Sequence, residues 1–79
     1  MTQKIGDVFL TNFKNSSLDF FDENGEWLTV SNNKYLILIG LKNEKKYNKY
    51  FLLYSISNQR YLIIWENLTL EQNAIKMDI

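Results

Sequence analysis

Residues 35–41 read Tyr35-Leu36-Ile37-Leu38-Ile39-Gly40-Leu41. The run is strand-sized and apolar on both faces: Tyr35, Ile37, Ile39 and Leu41 share one, and Leu36 and Leu38 share the other. A strand of that kind lies in the middle of a sheet or is covered twice. Gly40 weakens it and marks a bulge or a close backbone approach. Downstream, Lys42–Lys46 is a charged turn and Tyr47–Ile56 a long strand whose even positions, Tyr50, Leu52, Tyr54 and Ile56, form an apolar stripe. Ser57-Asn58-Gln59 turns the chain into a third strand, Arg60–Glu66, with Tyr61, Ile63 and Trp65 opposite Leu62 and Ile64. Residues 34–68 therefore predict a three-stranded antiparallel meander.

Upstream of the run, Ser31-Asn32-Asn33 is a turn and Glu26–Val30 a strand. Asn24-Gly25 before it is the strongest hairpin signal in the chain, pairing that strand with Leu18–Phe21. A loop at residues 14–17 leads back to a first strand, Asp7–Phe13. The tail changes period. Thr69 and Gln72 have the form of a capping box, and Leu70, Ala74 and Met77 are spaced for one helical face, about two turns long. The competing reading of the tail is a frayed end or a last edge strand. No internal segment is long enough for a crossover helix, so βαβ units are excluded. The expectation is a single mainly β domain over 1–79. It would be a small antiparallel curled sheet or an SH3-like or OB-like barrel of five to six strands, with or without a short C-terminal helix.

The opening Gly6-Asp7-Val8-Phe9 resembles the start of the first strand in the MazF-like toxin ribonucleases, which are SH3-like barrels. The likeness spans about eight residues, and the chain departs from that family in length and in lacking an arginine-rich site, so no activity is carried over.

Composition removes much chemistry. With no Cys and no His, the chain has no disulfides, no thiolate nucleophile, no imidazole base and no usual zinc ligands. Gly6, Gly25 and Gly40 are too scattered for a phosphate-binding loop. Asp22-Glu23-Asn24-Gly25-Glu26 lacks the ligand spacing of a calcium loop. No enzyme, cofactor, metal or small-molecule substrate is expected. The N-terminus lacks the pattern of a signal peptide, and no run approaches the roughly 18 apolar residues of a membrane span. The expected location is cytoplasmic, with no membrane contact. Ten Asn, eight Lys, eight Ile and one Ala suit an AT-rich genome, such as a low-GC bacterium, its phages or its plasmids.

Charge is balanced overall and split locally. Residues 1–30 hold Lys4 and Lys14 against Asp7, Asp19, Asp22, Glu23 and Glu26, net −3. Residues 31–60 hold Lys34, Lys42, Lys45, Lys46, Lys49 and Arg60 against Glu44, net +5. The acidic group Asp19, Asp22, Glu23 and Glu26 suits a basic protein surface. In the basic hairpin, Lys42, Lys45, Lys46 and Lys49 interleave with Tyr47 and Tyr50. Such a segment could follow a phosphate backbone and stack on bases, though a single Arg argues against sequence-specific reading. Apolar residues on both strand faces and 15% aromatics point to a surface covered by a partner. Trp27, Tyr35 and Trp65 join the hairpin residues as binding candidates. The leading expectation is a small interaction or regulatory module, encoded by a phage or other mobile element and binding a host protein or a second copy of itself as a homodimer. The alternative is a nucleic-acid-binding barrel that uses Lys42–Tyr50.

Overall fold

The computed structural model describes residues 3–44, 48–65 and 70–78. Among these residues seven strands, β1 (Val8–Thr11), β2 (Ser17–Asp22), β3 (Trp27–Ser31), β4 (Tyr35–Glu44), β5 (Asn48–Ser55), β6 (Arg60–Trp65) and β7 (Ala74–Lys76), make one antiparallel sheet. Their order is β3-β2-β6-β5-β4-β1-β7, and the short helix α1 (Leu70–Asn73) precedes β7. The apolar run at Tyr35 opens β4, which lies inside the sheet between β5 and β1. The meander β4-β5-β6 forms as the alternation predicts.

The turns fall where Asn, Gly and Ser cluster. Asp22 fixes the β2–β3 hairpin: its Oδ1 accepts the N–H groups of Asn24 and Glu26, each at 2.9 Å, while Gly25 takes a φ of 77°. Left-handed backbone of this kind is natural for glycine and costly for residues with a Cβ. Ser16, Asn33 and Gln59 take the other left-handed positions among non-glycine residues, all in the polar connections.

The sheet curls into a half-barrel. Four strands lie between β3 and β1 in the sheet order, yet the Thr11 hydroxyl donates to the Ser31 carbonyl at 2.7 Å. Asn32 fastens the same end, its side-chain amide donating to the Phe13 carbonyl at 2.9 Å and its Oδ1 accepting the Phe13 N–H. Curling gives the sheet a concave face, where the core forms from Phe9, Phe13, Phe20, Leu28, Val30, Leu36, Leu38, Leu53, Leu62 and Ile64. Leu70 and Ala74, from the C-terminal segment, join this core.

The bulge expected at Gly40 is present, because the β4–β5 register slips between Leu38 and Gly40. It corrects one face assignment. Leu41 pairs with Phe51, which packs on the core, so Leu41 follows Leu36 and Leu38 rather than Tyr35, Ile37 and Ile39. The extra residue restarts the alternation.

The tail combines the helix and edge-strand readings and is not frayed over residues 70–76. Four residues coil as α1, and the next three extend along the free side of β1, with Leu10 opposite Ile75 and Thr11 opposite Ala74. Met77 donates its N–H to the Val8 carbonyl at 2.8 Å. A helix continued through Met77 would have left β1 as an open edge, so ladder bonds prevail over local spacing.

The Asp7 carboxylate ties this end together. Its Oδ2 accepts the Lys4 N–H at 2.8 Å and lies 3.4 Å from Lys76 Nζ on β7. The Lys4 amide first, and the Lys76 ammonium after it, hold the carboxyl below the ordinary value of 3.8, while partial desolvation works the other way. A carboxyl depressed in the fold stabilises it above the unfolded-state value and loses that contribution as pH falls through the folded value. Asp7→Asn should therefore weaken the protein against urea at neutral pH, and the two unfolding curves should converge in acid. A gap that stays constant from pH 7 to pH 3 would refute this.

Candidate functional site: an aromatic groove on the convex face

The convex face carries what the core leaves over. Register sets Trp27, Phe21, Ile63 and Leu52 side by side across β3, β2, β6 and β5. A second row runs Tyr61, Tyr54, Ile37, Val8, and a third sets Trp65 beside Tyr50 and Tyr50 opposite Lys42. The rings pack on one another rather than under a second layer. Phe21 stacks on Trp27 with centroids 4.2 Å apart, and Tyr50 meets Trp65 edge-on at 5.1 Å. Tyr54 meets Tyr61 in the same way at 5.0 Å. Trp27 is 66% exposed even so.

Where the β2–β6 ladder ends, this face opens into a groove. The two strands pair at Asp22↔Leu62 and Phe21↔Ile63 and then part. Asp19, Phe20, Phe21 and Trp27 line one side of the gap, and Ile63, Ile64 and Trp65 the other, around a volume of about 190 Å³. Both tryptophans of the chain stand at this groove. The Asp19 carboxylate is its charged member; it accepts the Thr29 hydroxyl at 2.6 Å and stays exposed.

The residues expected to bind a partner are distributed as follows. Trp27 and Trp65 meet at the groove, with Tyr50 against Trp65. Tyr35 lies elsewhere, on a smaller exposed apolar strip with Leu10 and Ile75 on neighbouring strands. Lys42 and Lys49 occupy ladder positions in β4 and β5, and Lys45, Lys46 and Tyr47 lie outside the described residues. Asp19, Glu23 and Glu26 are exposed, but Asp22 leaves the acidic surface group: it is buried, with its carboxylate engaged by the hairpin amides and 3.9 Å from Arg60. Sequence reasoning missed Phe21 and Ile63 as site residues. They meet across a junction of strands that are not consecutive in the chain, and no local pattern announces such a junction.

The groove is apolar, aromatic and wide enough for one side chain, with a carboxylate at its rim. Among the described residues no group of three potential metal ligands occurs. No described helix is long and apolar enough to cross a membrane. No family model matches the chain, and neither a curated protein nor a solved structure matches it.

Proposed function

We propose that the protein is a non-enzymatic interaction module that binds another protein through the aromatic convex face, centred on the Trp27–Trp65 groove. The observation that supports this reading is the exposure of Trp27, Phe21 and Tyr61 on a sheet whose other face already holds the core. Tryptophan and tyrosine in a half-buried cluster are the residue types that dominate binding energy at protein interfaces. The composition bias fits a small cytoplasmic regulator from a mobile element of a low-GC bacterium. The partner is a host protein or a second copy of the chain.

Trp27→Ser tests the reading with little risk to the fold, since the side chain is largely exposed. The wild-type protein and this variant serve as parallel baits, and sedimentation between about 1 and 100 μM, the range of ordinary micromolar affinities, follows self-association. Loss of a captured partner or of a dimer in Trp27→Ser supports the module. A monomer throughout, with no capture that depends on Trp27, rejects it. Binding of single-stranded DNA that weakens steeply with salt would favour the basic hairpin instead.

A further inference from the structure

We propose that Asn24, in the turn of the β2–β3 hairpin, is a self-modifying site: it loses its side-chain amide to attack by the Gly25 backbone nitrogen, at a pace set by the hairpin's own turn bonds. The proposal stands apart from the interaction-module reading.

The chemistry needs only groups of this chain and water. The Gly25 nitrogen gives up its proton and attacks Cγ of Asn24. The bond from Cγ to Nδ2 breaks, and ammonia leaves carrying a proton in exchange. The product is a five-membered succinimide. Water opens the ring at Cγ, which restores the ordinary backbone as aspartate, or at the backbone carbonyl carbon, which routes the backbone through Cβ and Cγ as isoaspartate. Either product adds a carboxylate to a hairpin that already exposes Asp19, Glu23 and Glu26. Isoaspartate also lengthens the turn by one methylene.

Sequence and exposure favour this position. Of the ten asparagines, Asn24 alone precedes glycine, and a following residue without Cβ obstructs ring closure least. Asn24 and Gly25 are exposed, and a Cβ built on Gly25 would meet no atom within 4 Å, so base and water reach the reacting nitrogen freely. Asn15-Ser16, exposed as well, is the rival.

The fold opposes the reaction. Gly25 donates its N–H to the Asp22 carbonyl at 3.1 Å, and Asn24 donates its own to Asp22 Oδ1 at 2.9 Å. Glu26 donates to the same carboxylate oxygen, and Asp22 closes the loop by donating to the Glu26 carbonyl at 2.8 Å. Bringing the Gly25 nitrogen onto Cγ requires rotation about the Cα–C bond of Asn24, which swings the Gly25 N–H away from Asp22. Conversion therefore waits for the turn to open, and bonds of modest net strength leave it open roughly one part in ten of the time.

The full chain, kept folded in mildly alkaline buffer as circular dichroism can verify, is incubated beside a blocked peptide that copies residues 22–27 and is too short to hold the turn. Mass spectrometry of digests, with aspartate and isoaspartate forms separated, follows both. The expected result is that Asn24 converts before the other nine asparagines, gives both products, speeds up with hydroxide and runs roughly tenfold slower than the peptide. Asn24→Ser should abolish conversion at this position and leave the other asparagines unchanged. Earlier conversion at Asn15 or elsewhere, or an Asn24 still intact when the peptide is exhausted, overturns the site. Equal rates in chain and peptide overturn its control by the hairpin.

Discussion

Leu62→Ala should bring the protein close to unfolding at 25 °C. Leu62 is fully buried and central: it pairs with Leu53 on β5 and with Asp22 on β2, so it sits where the meander meets the N-terminal hairpin. Truncating a leucine in such a place costs about 2–5 kcal/mol, from lost transfer energy and the cavity left behind. A chain of this length has roughly 4–12 kcal/mol in total. Urea unfolding followed by tryptophan emission should show the midpoint falling by about 2 M, given a slope near 1.5 kcal/mol per M. Leu41→Ala is the matched control. Leu41 is 56% exposed although its register places it on the core side, and its truncation should cost under about 1 kcal/mol. Equal costs at the two positions would contradict the burial that the curled sheet assigns them.

Asp22→Ala should be nearly as damaging for a different reason. Its carboxylate holds the amides of Asn24 and Glu26, and nothing on alanine can replace it. Two amides losing a charged acceptor beside a buried position costs about 2–3 kcal/mol. Asp22→Asn retains an acceptor oxygen and should cost about 1 kcal/mol. Arg60→Ala removes a partner 3.9 Å away that is itself half exposed, an effect of about 0.5 kcal/mol or less. Chemical denaturation of the three variants orders these contributions. If Asp22→Asn were as costly as Asp22→Ala, the charge rather than the turn bonds would be the stabilising element.

Much of the architecture was legible because period-two alternation and turn chemistry are local. The Asn24-Gly25 hairpin, the β4-β5-β6 meander and the slip beside Gly40 each follow from a few neighbouring residues. Three features were not local. The face of Leu41 depends on where the extra residue of the bulge sits, which alternation alone does not specify. The seventh strand exists because β1 offers an open side to residues 74–76, more than sixty positions away. The groove exists because β2 neighbours β6, a pairing of strands that do not follow one another in the chain. The tryptophans were conspicuous as aromatics; that Phe21 and Ile63 join them is a property of the folded sheet.

The two-pair seam between β2 and β6 also has a mechanical meaning. Among the described residues, every other neighbouring pair in the sheet is joined at three or more register positions, so this ladder is the shortest. The β2–β3 hairpin is joined to the rest by Phe21 and Asp22, by the fastenings at Thr11, Asn32 and Asn58, and by Phe20, Leu28 and Val30 in the common core. Local opening is expected to begin along this ladder, and amide exchange faster at Phe21 than at Leu53 in the meander is the measurement that checks it.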